Sequence, residues 1–107
     1  MTELIHKIIS VVRYQFHTNF DEKSVHYVRF ITHLKFFASR LFNGKLLEGD
    51  GGELLEMVRR QYPEAYECAK RIRSLIAVDY LLDISEEEMI YLTVYIKRIT
   101  TAEDKAE

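Results

Sequence analysis

The segment FITHLKFFASRL, residues 30–41, sets a titratable imidazole, His33, among apolar and aromatic side chains. Successive residues of a helix turn by about 100°, so with His33 at zero His26 falls at about +20°, Arg40 at about −20° and Arg29 at about −40°. Phe37 and Phe30 border the same band, at about +40° and +60°. These residue types make a basic, imidazole-bearing strip along the edge of an apolar face. Neutral imidazole is a nucleophile near physiological pH, nearby guanidinium charge favours that neutral form, and arginine can hold the oxygens of a phosphorylated ring. The chemistry that suits the strip is acceptance of a phosphoryl group. The same periodicity also fits a partly buried ring with one hydrogen bond, beside arginines that only solvate the helix face.

Other chemistries fit less well. Seven helical residues separate His26 from His33 by about 10.5 Å, too far for one zinc ion, and the arginines would repel the metal. No Ser or Cys stands in a recognisable nucleophile motif, and Cys68 reads as a small core residue. His6 and His17 share a face of the first helix with Ser10 and Arg13, away from Ile5, Ile8 and Val12, and read as solvated surface. Glu86 to Glu88 offset the dipole of a first helical turn rather than forming an acidic site. Phe36, Phe37 and Phe42 read as core or dimer surface, because no basic groove accompanies them to bind bases.

The elements that must position the strip are helices. The first has Ile5, Ile8, Ile9, Val12 and Phe16 on one face and ends near His17, before the break NFDEKS. The second is predicted from about Glu22 to Phe42, with Tyr27, Ile31, Leu34, Ala38 and Leu41 as its apolar stripe, and Asn43 and Gly44 stop it. Residues 43–52, NGKLLEGDGG, hold all four glycines and read as a flexible loop. A short third helix, ELLEMVRRQY, ends before Pro63, which opens a fourth running to about Tyr80 with Ala69, Ile72 and Ile76 inside. Ser85 and Glu88 form an S-x-x-E capping box, and Met89, Leu92, Ile96 and Ile99 continue a fifth helix. Residues 100–107 are expected to fray. The expected fold is an all-α, antiparallel five-helix bundle in a single domain spanning 1–107.

Composition sets the outer bounds. The 107 residues are 48% hydrophobic and 12% aromatic, enough for one core, and the surplus of large apolar side chains, many of them in FITHLKFFASRLF, suggests a homodimer to which the exposed parts of the second and fifth helix faces contribute. Fifteen basic against 17 acidic residues give a net charge of −2 and no general field for nucleic acid or an anionic membrane. A single cysteine fits a reducing compartment, with the cytoplasm as default, and the start MTELIHKIISVV carries Glu3, His6 and Lys7 inside its apolar pattern, unlike a signal peptide or membrane span.

The wording VRFITHLKFFASRLFNG, with AYECAKRI and EEEMIYLTVYIKRI after it, closely resembles the phosphotransferase-system regulation domain, the PRD, of BglG/SacY-type bacterial transcriptional antiterminators. The resemblance covers nearly the whole chain and is strongest to the second of the two such domains that these regulators carry. It implies a five-helix bundle, not an enzyme, that homodimerises and is phosphorylated on histidine by the phosphocarrier HPr, with a sugar-specific enzyme II as a further partner. It also implies an RNA-binding domain outside this chain, whose dimer state the bundle controls. No cofactor or metal is implied.

Residue by residue, His33 matches the family's first phosphoacceptor, with Arg29, Arg40 and His26 as its supporting neighbours. The second acceptor normally stands in the last helix, where this chain has Tyr95, one turn from Tyr91 and three residues from Arg98. That position reads as a degenerate second phosphosite with a cation and an aromatic wall but no nucleophile. The rival reading is a structural dimerisation bundle that has lost phosphorylation; a small helical hydrolase or metal enzyme is a weaker one.

Overall fold

The computed structural model describes residues 1–105. Five helices follow in order: α1 (Thr2–Phe16), α2 (Val25–Phe42), α3 (Gly52–Gln61), α4 (Pro63–Tyr80) and α5 (Glu86–Lys105). The all-α fold read from the apolar spacing is the fold observed. α5 is the organising element, packed against α2, α3 and α4, while α1 closes the far side against α2 and α4. No helix among the described residues is long and apolar enough to cross a membrane.

The core is built from the apolar faces the spacing marks. Leu4, Ile8 and Val12 of α1, Leu34 and Phe37 of α2, Ile72 and Ile76 of α4, and Met89, Leu92 and Ile96 of α5 are all essentially inaccessible to water. Side chains of this size each contribute about 1.5–3 kcal/mol on burial. Cys68 lies within the same cluster, and burial pushes its thiol up to about 12. Thr93 and Thr100 are buried on α5 and satisfy their hydroxyls by donating to Met89 O and Ile96 O one turn back, at 2.7 and 2.8 Å.

α2 departs from expectation in two respects. It starts at Val25 rather than Glu22, because Ser24 takes the N-cap: the Tyr27 amide donates to its Oγ at 3.1 Å. Asp21 turns the chain just before it, accepting from the Lys23 amide on its side chain and from the Ser24 amide on its carbonyl. The inward face is also rotated. Phe30, Leu34, Phe37, Ala38 and Leu41 are buried, whereas Tyr27 and Ile31 are only partly covered. The two phenylalanines that border the basic strip thus belong to the core, which draws His33 toward the bundle.

The glycine-rich stretch between α2 and α3 is not a free loop. Glu88 of α5 accepts from the Leu47 amide at 3.0 Å, and Ser85 Oγ donates to the Leu47 carbonyl, so one residue is held on both sides of its backbone. Gly51 has φ +80°, and a Cβ there would stand 2.8 Å from the Leu55 Cβ, which accounts for glycine at that position. At the other end of the chain, α5 continues as helix through residues 100–105, where fraying is expected from sequence. Ile99 and Thr100 are buried; residues 106–107 of the expected tail lie outside the described residues.

Candidate functional site

The site lies where α2 meets α5. On α5 a helical face carries Tyr91, Tyr95 and Arg98, spaced at i, i+4 and i+7, beside the core row Leu92, Ile96 and Ile99. Core packing on both helices brings that face against His33, 58 residues away in sequence from Tyr91. His33 is half-buried.

Its ring is held on three sides. Nδ1 lies 3.1 Å from the Tyr91 hydroxyl, and that hydroxyl donates to the His33 carbonyl oxygen at 2.9 Å. The Tyr95 ring stacks on the imidazole with centroids 3.8 Å apart and planes 25° from parallel. Phe36 meets it edge-on at 6.0 Å. Beyond the imidazole, a cavity of about 110 Å³ is lined by His26, Arg29, His33, Tyr95 and Arg98 over the apolar floor of Phe30 and Ile99.

The electrostatics favour a neutral ring. Partial burial, then the positive charges of Arg98 and Arg40, hold the His33 imidazole below its ordinary value of 6.5. Burial also pushes the Tyr91 phenol up, so it remains a protonated donor. A neutral imidazole beside guanidinium groups can offer a lone pair to an electrophile and leave a resulting anion in contact with cations.

His26, Arg29 and His33, placed together by helical angle, do line one cavity. Arg40 does not. Its Nε and Nη2 donate to the two carboxylate oxygens of Glu88, both at 2.8 Å, and its guanidinium lies over the Tyr91 ring at 4.5 Å. Glu88 is fully buried, so Arg40 is committed as the counter-charge of an interior carboxylate. Arg98 takes the place of a second cation at the cavity; its guanidinium lies 5.1 Å from the Tyr95 ring centroid. Glu88 likewise exceeds its expected part as half of a capping box. Ser85 Oγ does accept from the Glu88 amide at 3.1 Å, but the Glu88 carboxylate is occupied by Arg40 and the Leu47 amide.

The two acceptor positions implied by the family resemblance, His33 and Tyr95, are therefore one place in space. Sequence reading attached Arg98 and Tyr91 to a separate second site; their relation to His33 depends on how α5 docks on α2, which carries no periodic signal. His6 lines an open groove between α1 and α4, and His17 is the left-handed C-cap of α1; neither lines the cavity of His33. Among the described residues no group of three or more His, Cys, Asp or Glu side chains is arranged to hold a metal ion.

Comparison with known proteins agrees with the resemblance carried by the α2 and α5 motifs. The PRD domain family model matches residues 6–99. Transcription antiterminator LicT of Bacillus subtilis (strain 168) is 44% identical over 99 residues, covering 92% of this chain and 36% of that protein. The Beta-glucoside operon antiterminator of Dickeya chrysanthemi is 33% identical over 99 residues, covering 92% of this chain and 35% of that protein. Protein GlcT of Staphylococcus epidermidis (strain ATCC 35984 / DSM 28319 / BCRC 17069 / CCUG 31568 / BM 3577 / RP62A) is 29% identical over 96 residues, covering 90% and 34%. The chain spans about a third of the length of these relatives. With the histidine of α2 and the aromatic pair of α5 both inside the matched span, the chain belongs to the PRD domain family, a family of regulatory domains and not of enzymes.

Proposed function

We propose that this chain is the phosphate-receiving domain of a longer bacterial transcriptional antiterminator, with His33 as its phosphoacceptor and the phosphocarrier HPr as donor. The observation that carries the reading is an imidazole biased toward its neutral form at a cavity edged by Arg29 and Arg98. The neutral ring would supply the lone pair, and Arg29 and Arg98, which line the same cavity, would supply counter-charge to the phosphoryl oxygens. His26 lines the same cavity as a further donor. Tyr95 is a degenerate second phosphosite whose ring now serves as a wall. The relatives' names, antiterminators in each of the two with the highest quoted identity, supply the biological setting.

In this reading the response is quaternary. A phosphoryl group adds about −1.5 to −2 charge. It would arrive next to the outer face of α2, where Val25, Val28 and Phe36 are exposed at helical spacing, and this face is the proposed homodimer surface. The dimer would govern an RNA-binding domain outside the chain; with a net charge of −2 the bundle itself has no general attraction for nucleic acid. A sugar-specific enzyme II is a second proposed partner, and the cytoplasm, where HPr works, the proposed compartment.

Incubation with radiolabelled phosphoenolpyruvate, enzyme I and HPr is expected to give an acid-labile, alkali-stable label that His33→Ala abolishes and His26→Ala largely retains. Label persisting in His33→Ala would move the acceptor elsewhere. Monomeric sedimentation at high micromolar concentration, both before and after phosphorylation, would exclude the dimer. A second reading, a dimerisation bundle without phosphorylation, is favoured by one observation, the phenol at Tyr95; an unlabelled wild-type chain would support it.

A further inference from the structure

The Tyr91 hydroxyl has a single hydrogen and meets two groups of His33, the carbonyl oxygen at 2.9 Å and Nδ1 at 3.1 Å, while the Arg40 guanidinium is a further donor toward its oxygen. A carbonyl oxygen can only accept. If the hydroxyl hydrogen pointed at Nδ1, the phenolic lone pairs would face the carbonyl lone pairs at hydrogen-bonding distance, a repulsive arrangement. Both contacts are attractive only when the hydroxyl donates to the carbonyl and Nδ1–H donates to the hydroxyl. The hydrogen then sits on Nδ1, and in the neutral ring the lone pair sits on Nε2.

The carbonyl belongs to the same residue as the ring, so Tyr91 reads backbone and side chain of His33 together. Tyr95, stacked at 3.8 Å, restrains the plane in which the ring lies. Arg40 over the Tyr91 ring and its buried partner Glu88 restrain the phenol in turn. Tyr91 does not line the cavity shared by His33, Arg29 and Arg98.

We propose that Tyr91 is a positioning residue that locks His33 in the Nδ1–H tautomer and so assigns phosphate acceptance to Nε2. This rests on the reading of His33 as acceptor. In the transfer the Nε2 lone pair forms the new N–P bond while the N–P bond of the phosphohistidyl carrier breaks and its electron pair returns to the carrier's imidazole. Nδ1 keeps its proton throughout, and the positive charge that develops on the His33 ring is met by the hydrogen bond to the Tyr91 hydroxyl. No proton has to move for the bond to form.

The test is nitrogen-15 NMR of the uniformly labelled chain at pH 8, above the ordinary imidazole value. Two-bond proton–nitrogen correlations of the unmodified wild type are expected to show His33 with Nδ1 protonated and Nε2 bare. Tyr91→Phe, which keeps the aromatic ring, should shift His33 toward the Nε2–H form, whereas Tyr95→Phe, altering the stacked ring, should leave the tautomer unchanged. After phosphorylation the phosphorus–nitrogen coupling should fall on Nε2. Tyr91→Phe should slow phosphate uptake about five-fold, the worth of one ordinary hydrogen bond. An Nε2–H tautomer in the wild type, or phosphorus on Nδ1, would overturn the role of Tyr91. Absence of uptake in a wild type that does show the Nδ1–H tautomer would instead sink the acceptor reading and leave the lock standing, so the two failures are distinguishable.

Discussion

Tyr95 and His33 lie face to face, centroids 3.8 Å apart, where the two helices that carry them cross. The contact makes the phenol a cover for one face of the imidazole and brings Arg98, its neighbour one turn on, within electrostatic reach of the ring. A residue that reads as a vacancy in the sequence is thus a structural partner of the histidine it stands beside.

Restoring a histidine at that position tests whether the surroundings remain fit for a second acceptor. Wild type is expected to take up at most one phosphoryl group and Tyr95→His up to two, the second more slowly because like charges would be brought together. Intact-mass spectrometry under mildly basic conditions counts them. Two groups on the wild-type chain would contradict the assignment of Tyr95; only one on Tyr95→His would mean the surroundings have repacked around the phenol.

The His33 titration has a defined sign. The folded chain holds the imidazole proton less tightly than the unfolded chain, whose ordinary value is 6.5, so acidification favours the unfolded state. The stability contributed by the neutral ring is complete above 6.5 and is lost as pH falls through the lowered folded value. A proton NMR titration should place the His33 midpoint below 6.5, and Arg98→Gln should raise it without fully restoring it, since burial and Arg40 remain. A midpoint unchanged in Arg98→Gln would remove that arginine from the electrostatics of the ring.

Arg40 and Glu88 are expected to behave as a unit. Arg40→Met leaves a fully buried carboxylate without its cation and should cost about 3 kcal/mol or more. Glu88→Gln should cost less, because an amide oxygen can still accept from the Leu47 amide. In urea denaturation the double variant should lose clearly less than the sum of the two, as coupled neighbours do. Strict additivity would show that the pair is not coupled.

Leu81 ends α4 in the left-handed conformation, φ 56°, with its side chain 86% exposed. The backbone carries the penalty of a Cβ in that region, and little burial offsets it. Leu81→Gly should raise stability by about 0.5–1 kcal/mol, read from the midpoint of thermal or urea unfolding. A loss of stability would mean that Leu81 makes a contact worth more than the strain.

Much of this was legible in one dimension. Ile5, Ile8, Leu34, Ile72, Ile76, Leu92 and Ile96 declare their helices by spacing alone, because burying one face imposes the helical period. His26, Arg29 and His33 declare a common strip by the same rule. Arg40 shares that angle and still serves another group, since its length lets it reach Glu88, and no helical projection contains a residue 48 positions away. Tyr91 and Arg98 were visible as a group with Tyr95, but their convergence on His33 follows from how two helices dock. The start of α2 at Val25 was decided by Ser24 and Asp21, whose side chains compete with the helix for the local amides.

The hold on Leu47 turns the connection between α2 and α3 into two short closures, residues 43–46 and 48–51, in place of one longer one. The pin comes from Ser85 and Glu88, at the start of the helix that further along presents Tyr91, Tyr95 and Arg98 to the imidazole. The path of a surface connection and the walls of the histidine cavity are therefore fastened to a single rod. A slide or tilt of α5 cannot be absorbed at one end alone: it must displace the crossing point at Leu47 and the stack on His33 in the same movement.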